Sequence, residues 1–355
     1  MKHKSLAGII AFTDNGRKIS EKIIASTENI CFLTKRDDTN IDAWIQECFG
    51  TRTPIVFIGA TGIAVRLIAP YVTDKLHDCP VVVVDELGRF IIPILSGHYG
   101  GANELAAHLS KGIGATSVIT TATDINNAFS IDVFAKKNSL SIFNKDRIKM
   151  VSKKALSAET IKYKCDALNV TIKGEQPQNI IISDDECDFY ITDMSDDKKY
   201  YKDNNSLILY PRRIVIGIGC KKGKSFEELR DFVLSNFIKS GLFGFNDKGE
   251  ALEYLENNLY AITSIDVKSD EIGLLKLAQF FGAKSYFYTP QELNELEGDF
   301  PSSDFVLDTV GTSNVCERSA AFGAGLLSRD LLISKIAENG ITMAVTIRKS
   351  LEAQW

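Results

Sequence analysis

Between Leu6 and Thr120, short apolar, mostly β-branched runs alternate with stretches patterned as helices, and the same alternation restarts at Arg212. The first stretch reads LAGIIAF, a helix over 17–26, NICFL, a helix over 41–49, PIVFIG, a helix over 60–69, PVVVV, a turn at DELGR, FIIPIL, a helix over 101–111 and TSVIT. Strands and helices taken in turn imply βαβ units and a mainly parallel sheet. The second stretch opens with RRIVIGIGCKKGKSFEELRDFVLSNFIKSG, which reads as strand, glycine turn and amphipathic helix. Strands near AITSID, SYFY and ITMAVTIR come next, with helices over 272–281 and 313–327. From Asp146 to Tyr210 the text changes: lysine and aspartate become dense, and short strands (ALNVTIK, NIIIS, DFYIT, SLILY) are separated by polar turns that read as solvated faces.

The expected architecture is therefore α/β, with mainly parallel-sheet N-terminal and C-terminal α/β domains joined by a small strand-rich middle domain. The boundaries are set at 1–140, 141–211 and 212–355. A chain of 355 residues, 45% hydrophobic and 25% charged, has apolar material for several cores. Its longest apolar run, PVVVVDELGRFIIPIL, is broken by charge well before the roughly 20 residues that cross a bilayer, so no membrane contact is expected. The start, MKHKSLAGIIAFTDNG, reads as a first strand rather than a signal peptide. Seven cysteines without any Cys-x-x-Cys pair argue against a disulfide framework or a structural zinc site and fit a reducing, cytoplasmic setting. A net charge of -5 excludes nucleic-acid binding through a general basic field, so an anionic ligand must be held by local groups.

Several turns could carry chemistry. FIGATGIAVRLIAP sets a glycine turn between strand and helix, and an anion held there would draw on Gly59, Thr61, Gly62 and Arg66. Steric need alone accounts for such glycines equally well. ILSGHYGGANELA places Ser96, Gly97 and His98 after a strand, loosens the backbone at Gly100 and Gly101, and opens a helix with Asn103 and Glu104. Read as the carboxyl end of a parallel strand, this is where open α/β sheets bind ligands. His108, within the helix, reads as a packed or surface histidine, and the pair forms no His-Glu-x-x-His metal motif. TTATD supplies Thr121 and Asp124, either as substrate or histidine partners or as helix caps. GIGCKKGKS fails the P-loop spacing, because Ile218 stands where the first glycine belongs. There remains Gly219 with Lys221, Lys222 and Lys224 near a helix start, a loop able to hold carboxylates. Lys268 in SIDVKSDEIGL and Glu317 in VCERSAA complete the candidates, each with a plain alternative in a local ion pair.

Taken in order and at these separations, SGHYGGANELA, ITTATD, GIGCKKGKS, SIDVKSDEIGLLKLA and VCERSAA resemble the cobalt-precorrin-5A hydrolase family, CbiG type, of anaerobic cobalamin biosynthesis. The resemblance covers nearly the whole chain. It implies an enzyme that hydrolyses the ring-A acetate δ-lactone of cobalt-precorrin-5A and releases acetaldehyde, giving cobalt-precorrin-5B. No cofactor is implied, since cobalt arrives inside the tetrapyrrole substrate, and transient contact with other corrin-pathway enzymes fits the setting. In such a reaction His98 is the candidate general base, with His98 or Glu104 taking the later hydroxyl proton, and backbone N–H groups around Gly97, Gly100 and Gly101 holding the oxyanion. Ser96, Asn103, Thr121, Asp124 and the two lysine loops would hold substrate. A non-catalytic tetrapyrrole carrier would need the same loops without His98. A nucleotide-binding regulator is disfavoured by the broken P-loop, and a methyltransferase by the lack of room for a further domain.

Overall fold

The computed structural model describes residues 2–35, 38–74, 78–121, 128–184, 186–193 and 205–355. Strand β1 (Lys2–His3) is followed by β2 (Ser5–Ala11), α1 (Asp14–Ala25), β3 (Ile30–Thr34), α2 (Ile41–Gly50), β4 (Ile55–Ile58), α3 (Thr61–Ile68), β5 (Val81–Val84), β6 (Phe90–Leu95), α4 (Ala102–Ile113) and β7 (Thr116–Ser117). The first sheet has the order β3-β2-β4-β5-β6-β7. Strands β2 to β5 are parallel, as their helical crossovers require. The alternation of side chains divides the core in two. Ile9, Val56, Ile58, Val82 and Val84 pack with Ile23 of α1 and Ala106 and Leu109 of α4, whereas Ile10, Ile55, Phe57, Val81 and Val83 pack with Trp44 and Ile45 of α2 and Ala64 of α3. All four valines of β5 are buried, each worth about 2 kcal/mol by the area it removes from water.

Strand β6 departs from the parallel pattern. It is joined to β5 by Asp85–Arg89 alone, too short for a crossover, and the Asp85 carboxylate accepts from the N–H groups of Arg89 at 2.6 Å and Phe90 at 2.7 Å. The result is a hairpin with Val84 opposite Ile91 and Val81 opposite Leu95. The loop after Leu95 therefore lies at the edge where the parallel strands begin.

The middle of the chain contains α5 (Ile131–Lys137), β8 (Leu140–Ile142), α6 (Ile148–Leu156), β9 (Ile161–Cys165), β10 (Val170–Lys173), β11 (Ile180–Ile182), β12 (Phe189–Ile191) and β13 (Leu207–Pro211). Its five-stranded sheet runs β11-β9-β12-β13-β8. Only β8 is antiparallel to its neighbour there.

The remainder comprises β14 (Ile214–Cys220), α7 (Phe226–Lys239), α8 (Lys248–Asn258), β15 (Leu259–Ile265), α9 (Ile272–Phe280), β16 (Lys284–Tyr288), α10 (Pro290–Asn294), α11 (Asp304–Val310), α12 (Val315–Gly323), β17 (Ile333–Glu338), β18 (Ile341–Ile347) and β19 (Leu351–Gln354). Its six-stranded sheet has the order β1-β16-β15-β14-β18-β17, so the first strand of the chain completes the edge of the last sheet. Gly217 lets β14 lie against α12: a Cβ there would overlap the carbonyl oxygen of Cys316 and sit 2.8 Å from the Ala320 nitrogen.

The chain divides into two compact units. One comprises 1–119, 215–252 and 261–347, and the other 120–214, 253–260 and 348–355, so residues 120–140, expected with the first domain, belong to the second unit. Within the first unit the two sheets are tied by Gln279, whose side chain bonds Thr53 and the Leu6 carbonyl, and by the ion pairs Lys4 with Asp270 and Lys276 with Glu47. In the second unit β19 pairs with β10, and Trp355 joins Phe129, Phe134 and Tyr163 in an aromatic cluster.

Candidate active site

The Ser96–Gly101 loop is tightly built. Ser96 adopts a left-handed backbone (φ 52°), unusual for a residue with a side chain, and its hydroxyl donates to the Asp78 carbonyl at 3.0 Å. Gly100 crosses directly over it, and a Cβ at that position would stand 2.7 Å from the Ser96 carbonyl oxygen and closer still to its Cβ. Gly101, also left-handed, starts α4. The first two N–H groups of that helix are already engaged, Ala102 donating to Ser96 at 3.1 Å and Asn103 to Gly97 at 3.0 Å. Buried Asn103 lies under Gly97. His98 is half-buried in this loop, whereas Glu104 and His108 are exposed.

One expectation needs correction. The hairpin puts Ser96, Gly97 and His98 at the amino edge of the parallel strands rather than beyond their carboxyl ends. Gly59, whose N–H donates to the Val84 carbonyl at 2.8 Å, lies with Thr61, Gly62 and Arg66 at the opposite edge. The two loops are separated by the length of the four-residue β5, roughly 13 Å, and they do not form one site. Thr121 falls in the second unit, and Asp124 lies outside the described residues.

The second sheet carries a cavity of about 1120 Å³ at the carboxyl ends of β14 and β15. This is the edge at which α/β sheets commonly bind ligands. Gly219, Lys221, Lys222 and Lys268 all line it, as does the start of α7, α9 and α12. Helix starts favour anions. Glu271 fastens two of its loops, accepting from the Gly223 N–H at 3.0 Å and from Lys268 at 3.0 Å. Lys224 is held by Glu228 at 2.6 Å, within a capping box closed by Ser225, and Lys276 by Glu47. Lys221, Lys222 and Lys335 carry no carboxylate partner among the described residues. Neither Lys335 nor Phe305 is legible as a site residue in the sequence, since they come from a strand and a helix remote from the lysine loop.

Two thiols touch this cavity. Burial pushes both Cys220 and Cys316 up to about 11, against partial relief from Lys268 at the first and a Thr342 hydrogen bond at the second. Neither is a thiolate near neutrality. Iodoacetamide at pH 8 is accordingly expected to spare Cys220 in the folded protein and to label it freely after denaturation, as peptide mass spectrometry would show.

Glu317 is not a ligand group. It is wholly buried, its carboxylate takes a two-pronged contact from Arg329 at 3.1 Å and 3.1 Å, and it accepts from the Lys335 N–H at 2.8 Å and the Asn314 amide at 3.2 Å. A buried carboxylate without such donors would be costly, so this set is structural: it pins the start of α12 to β17.

Fold and cavity define a multi-sheet α/β protein with a cationic, partly apolar chamber at one sheet's carboxyl edge. The chain belongs to the cobalamin synthesis G family: the family's N-terminal model matches residues 43–124 and its C-terminus model residues 214–346. A cobalt-precorrin-5A hydrolase of Salmonella typhimurium strain LT2 is 30% identical over 374 residues, covering 98% of this chain and 99% of that protein. One from Priestia megaterium is 26% identical, covering 95% and 94%. A solved structure of a cobalamin biosynthesis protein G homolog from Sulfolobus solfataricus aligns over 97% of both chains at 25% identity, with a TM-score of 0.41.

Proposed function

We infer that this chain is a cobalt-precorrin-5A hydrolase, opening the ring-A acetate δ-lactone of its tetrapyrrole substrate and releasing acetaldehyde to give cobalt-precorrin-5B. The observation that carries the reading is likeness over the full length, at 30% identity, to a protein of that activity. The cavity supports it: at about 1120 Å³ it is roomier than most small-molecule sites, and its unpaired lysines suit a large ligand edged with carboxylates. Cobalt enters as part of the substrate. A cytoplasmic setting accords with seven free thiols, and no helix among the described residues is long and apolar enough to cross a membrane.

In this proposal the lactone carbonyl is attacked by a water that His98 deprotonates, imidazole being suited to the task near neutral pH. The oxyanion is met by N–H groups of the loop at Gly97, Gly100 and Gly101 rather than by α4, whose first donors are consumed. Deprotonation of the freed hydroxyl, by His98 or Glu104, then expels acetaldehyde while the macrocycle accepts the electron pair. Purified protein given cobalt-precorrin-5A tests the reading. Acetaldehyde with the matching mass loss in the pigment supports the hydrolase, whereas tight binding of unchanged pigment identifies a carrier.

A further inference from the structure

Helix α11 is anomalous. None of its seven residues is buried, although the segment reads DFVLDTV. A helix in a folded unit ordinarily turns an apolar stripe to the core, and this one meets it through Val310, which packs against Ile265, Tyr288 and Leu293. Here Phe305 is 79% exposed, and it stands on the cavity wall with Val306, Thr309 and Val310. Val267, 62% exposed, lines the same chamber from the loop after β15. The opposite chemistry comes from Lys221, Lys222 and Lys335. The stem of Lys221 is laid against Gly340, where a Cβ would stand 2.8 Å from its Cδ. The other lining lysines are neutralised by Glu228, Glu271 and Glu47, so the residual positive charge is confined to these three.

We propose that the cavity is a slot for the face of a planar polycarboxylate macrocycle, with Phe305 and Val267 covering its apolar surface while Lys221, Lys222 and Lys335 pair with its peripheral carboxylates. This rests on the hydrolase reading for the identity of the substrate but not for the binding chemistry. The two walls together select the occupant. A small polar anion leaves Phe305 in water, and an apolar ligand strands three ammonium groups. A flat ring system bearing acids on its rim satisfies both.

The test uses uroporphyrin III, a metal-free tetrapyrrole with carboxylates around its edge, titrated into the full chain and followed by porphyrin fluorescence. Phe305→Ala is expected to weaken binding roughly tenfold with little change in salt dependence. The triple variant K221Q/K222Q/K335Q is expected to weaken it at least as much and to flatten the salt dependence. Leu307→Ala, on the same helix but outside the cavity lining, is expected to bind as the parent does. Because Phe305 is exposed, its replacement leaves the core intact, and circular dichroism checks this. Parent affinity in both the Phe305 and the triple-lysine variants overturns the proposal. Uroporphyrin binding with these dependences, but no acetaldehyde from cobalt-precorrin-5A, keeps the slot and removes the hydrolase. Acetaldehyde release with unchanged KM in Phe305→Ala keeps the hydrolase and removes the slot.

Discussion

His98→Ala is expected to lower turnover of cobalt-precorrin-5A by about 10²–10⁴-fold, the usual contribution of a positioned general base, while changing substrate affinity little. The loop holding His98 is over-determined: Ser96 is kept left-handed by its bond to Asp78 and by Gly100 passing over it, and Asn103 fills the space beneath Gly97. Backbone held in a sparsely populated conformation concentrates at functional sites. His98→Asn keeps a polar side chain without the basicity of imidazole, so it should also fail. If single-turnover assays show either variant releasing acetaldehyde at near-parental rates, His98 is a bystander and the base must be sought in the lysine-lined cavity.

Gly217→Ala is expected to cost about 3 kcal/mol or more, lowering the melting temperature of the first unit by roughly 6–12 °C. The added methyl would meet backbone on α12, not a side chain that could swing aside. Relief would require moving either β14, which feeds the lysine loop, or α12, which the Glu317 cluster anchors. Gly50→Ala supplies the contrast. That glycine ends α2 with nothing within 4 Å of a new Cβ, so the change should be neutral or slightly stabilising. Equal thermal midpoints for the two variants would show that β14 has room to move away from α12.

Much of the architecture can be read from the chain because its strands are short and its helices are separated cleanly by glycine turns. PVVVV, FIIPIL and SYFY fall in β5, β6 and β16, and the helix expected over 41–49 appears as Ile41–Gly50. Direction is harder. The DELGR turn is visible, but its consequence, a hairpin that reverses the edge at which His98 emerges, depends on pairing between strands. Lys221, Lys222 and Lys268 are identifiable because loops after parallel strands share an edge, and they do line one cavity. Glu317 misleads because a carboxylate at a helix start looks the same whether it meets a ligand or Arg329. Helix α11 leaves no signal as a site: its residues suggest a core helix, and only the exposure of Phe305 shows that this side chain stands outside the core.

The pairing of β1 with β16 bears on how the molecule comes to be made. Lys2 and His3 leave the ribosome well before their partners Phe287 and Tyr286 are made. The second unit has a similar delay, since β10 waits for Leu351–Gln354 and its aromatic cluster for Trp355. Nascent chains must therefore carry unpaired strand edges until those distant partners are made, a state prone to association with its neighbours. Folding is expected to be slow, because these pairings join segments remote in sequence. Fragments that stop short of the last strand should be recovered as aggregates even where their first sheet is intact.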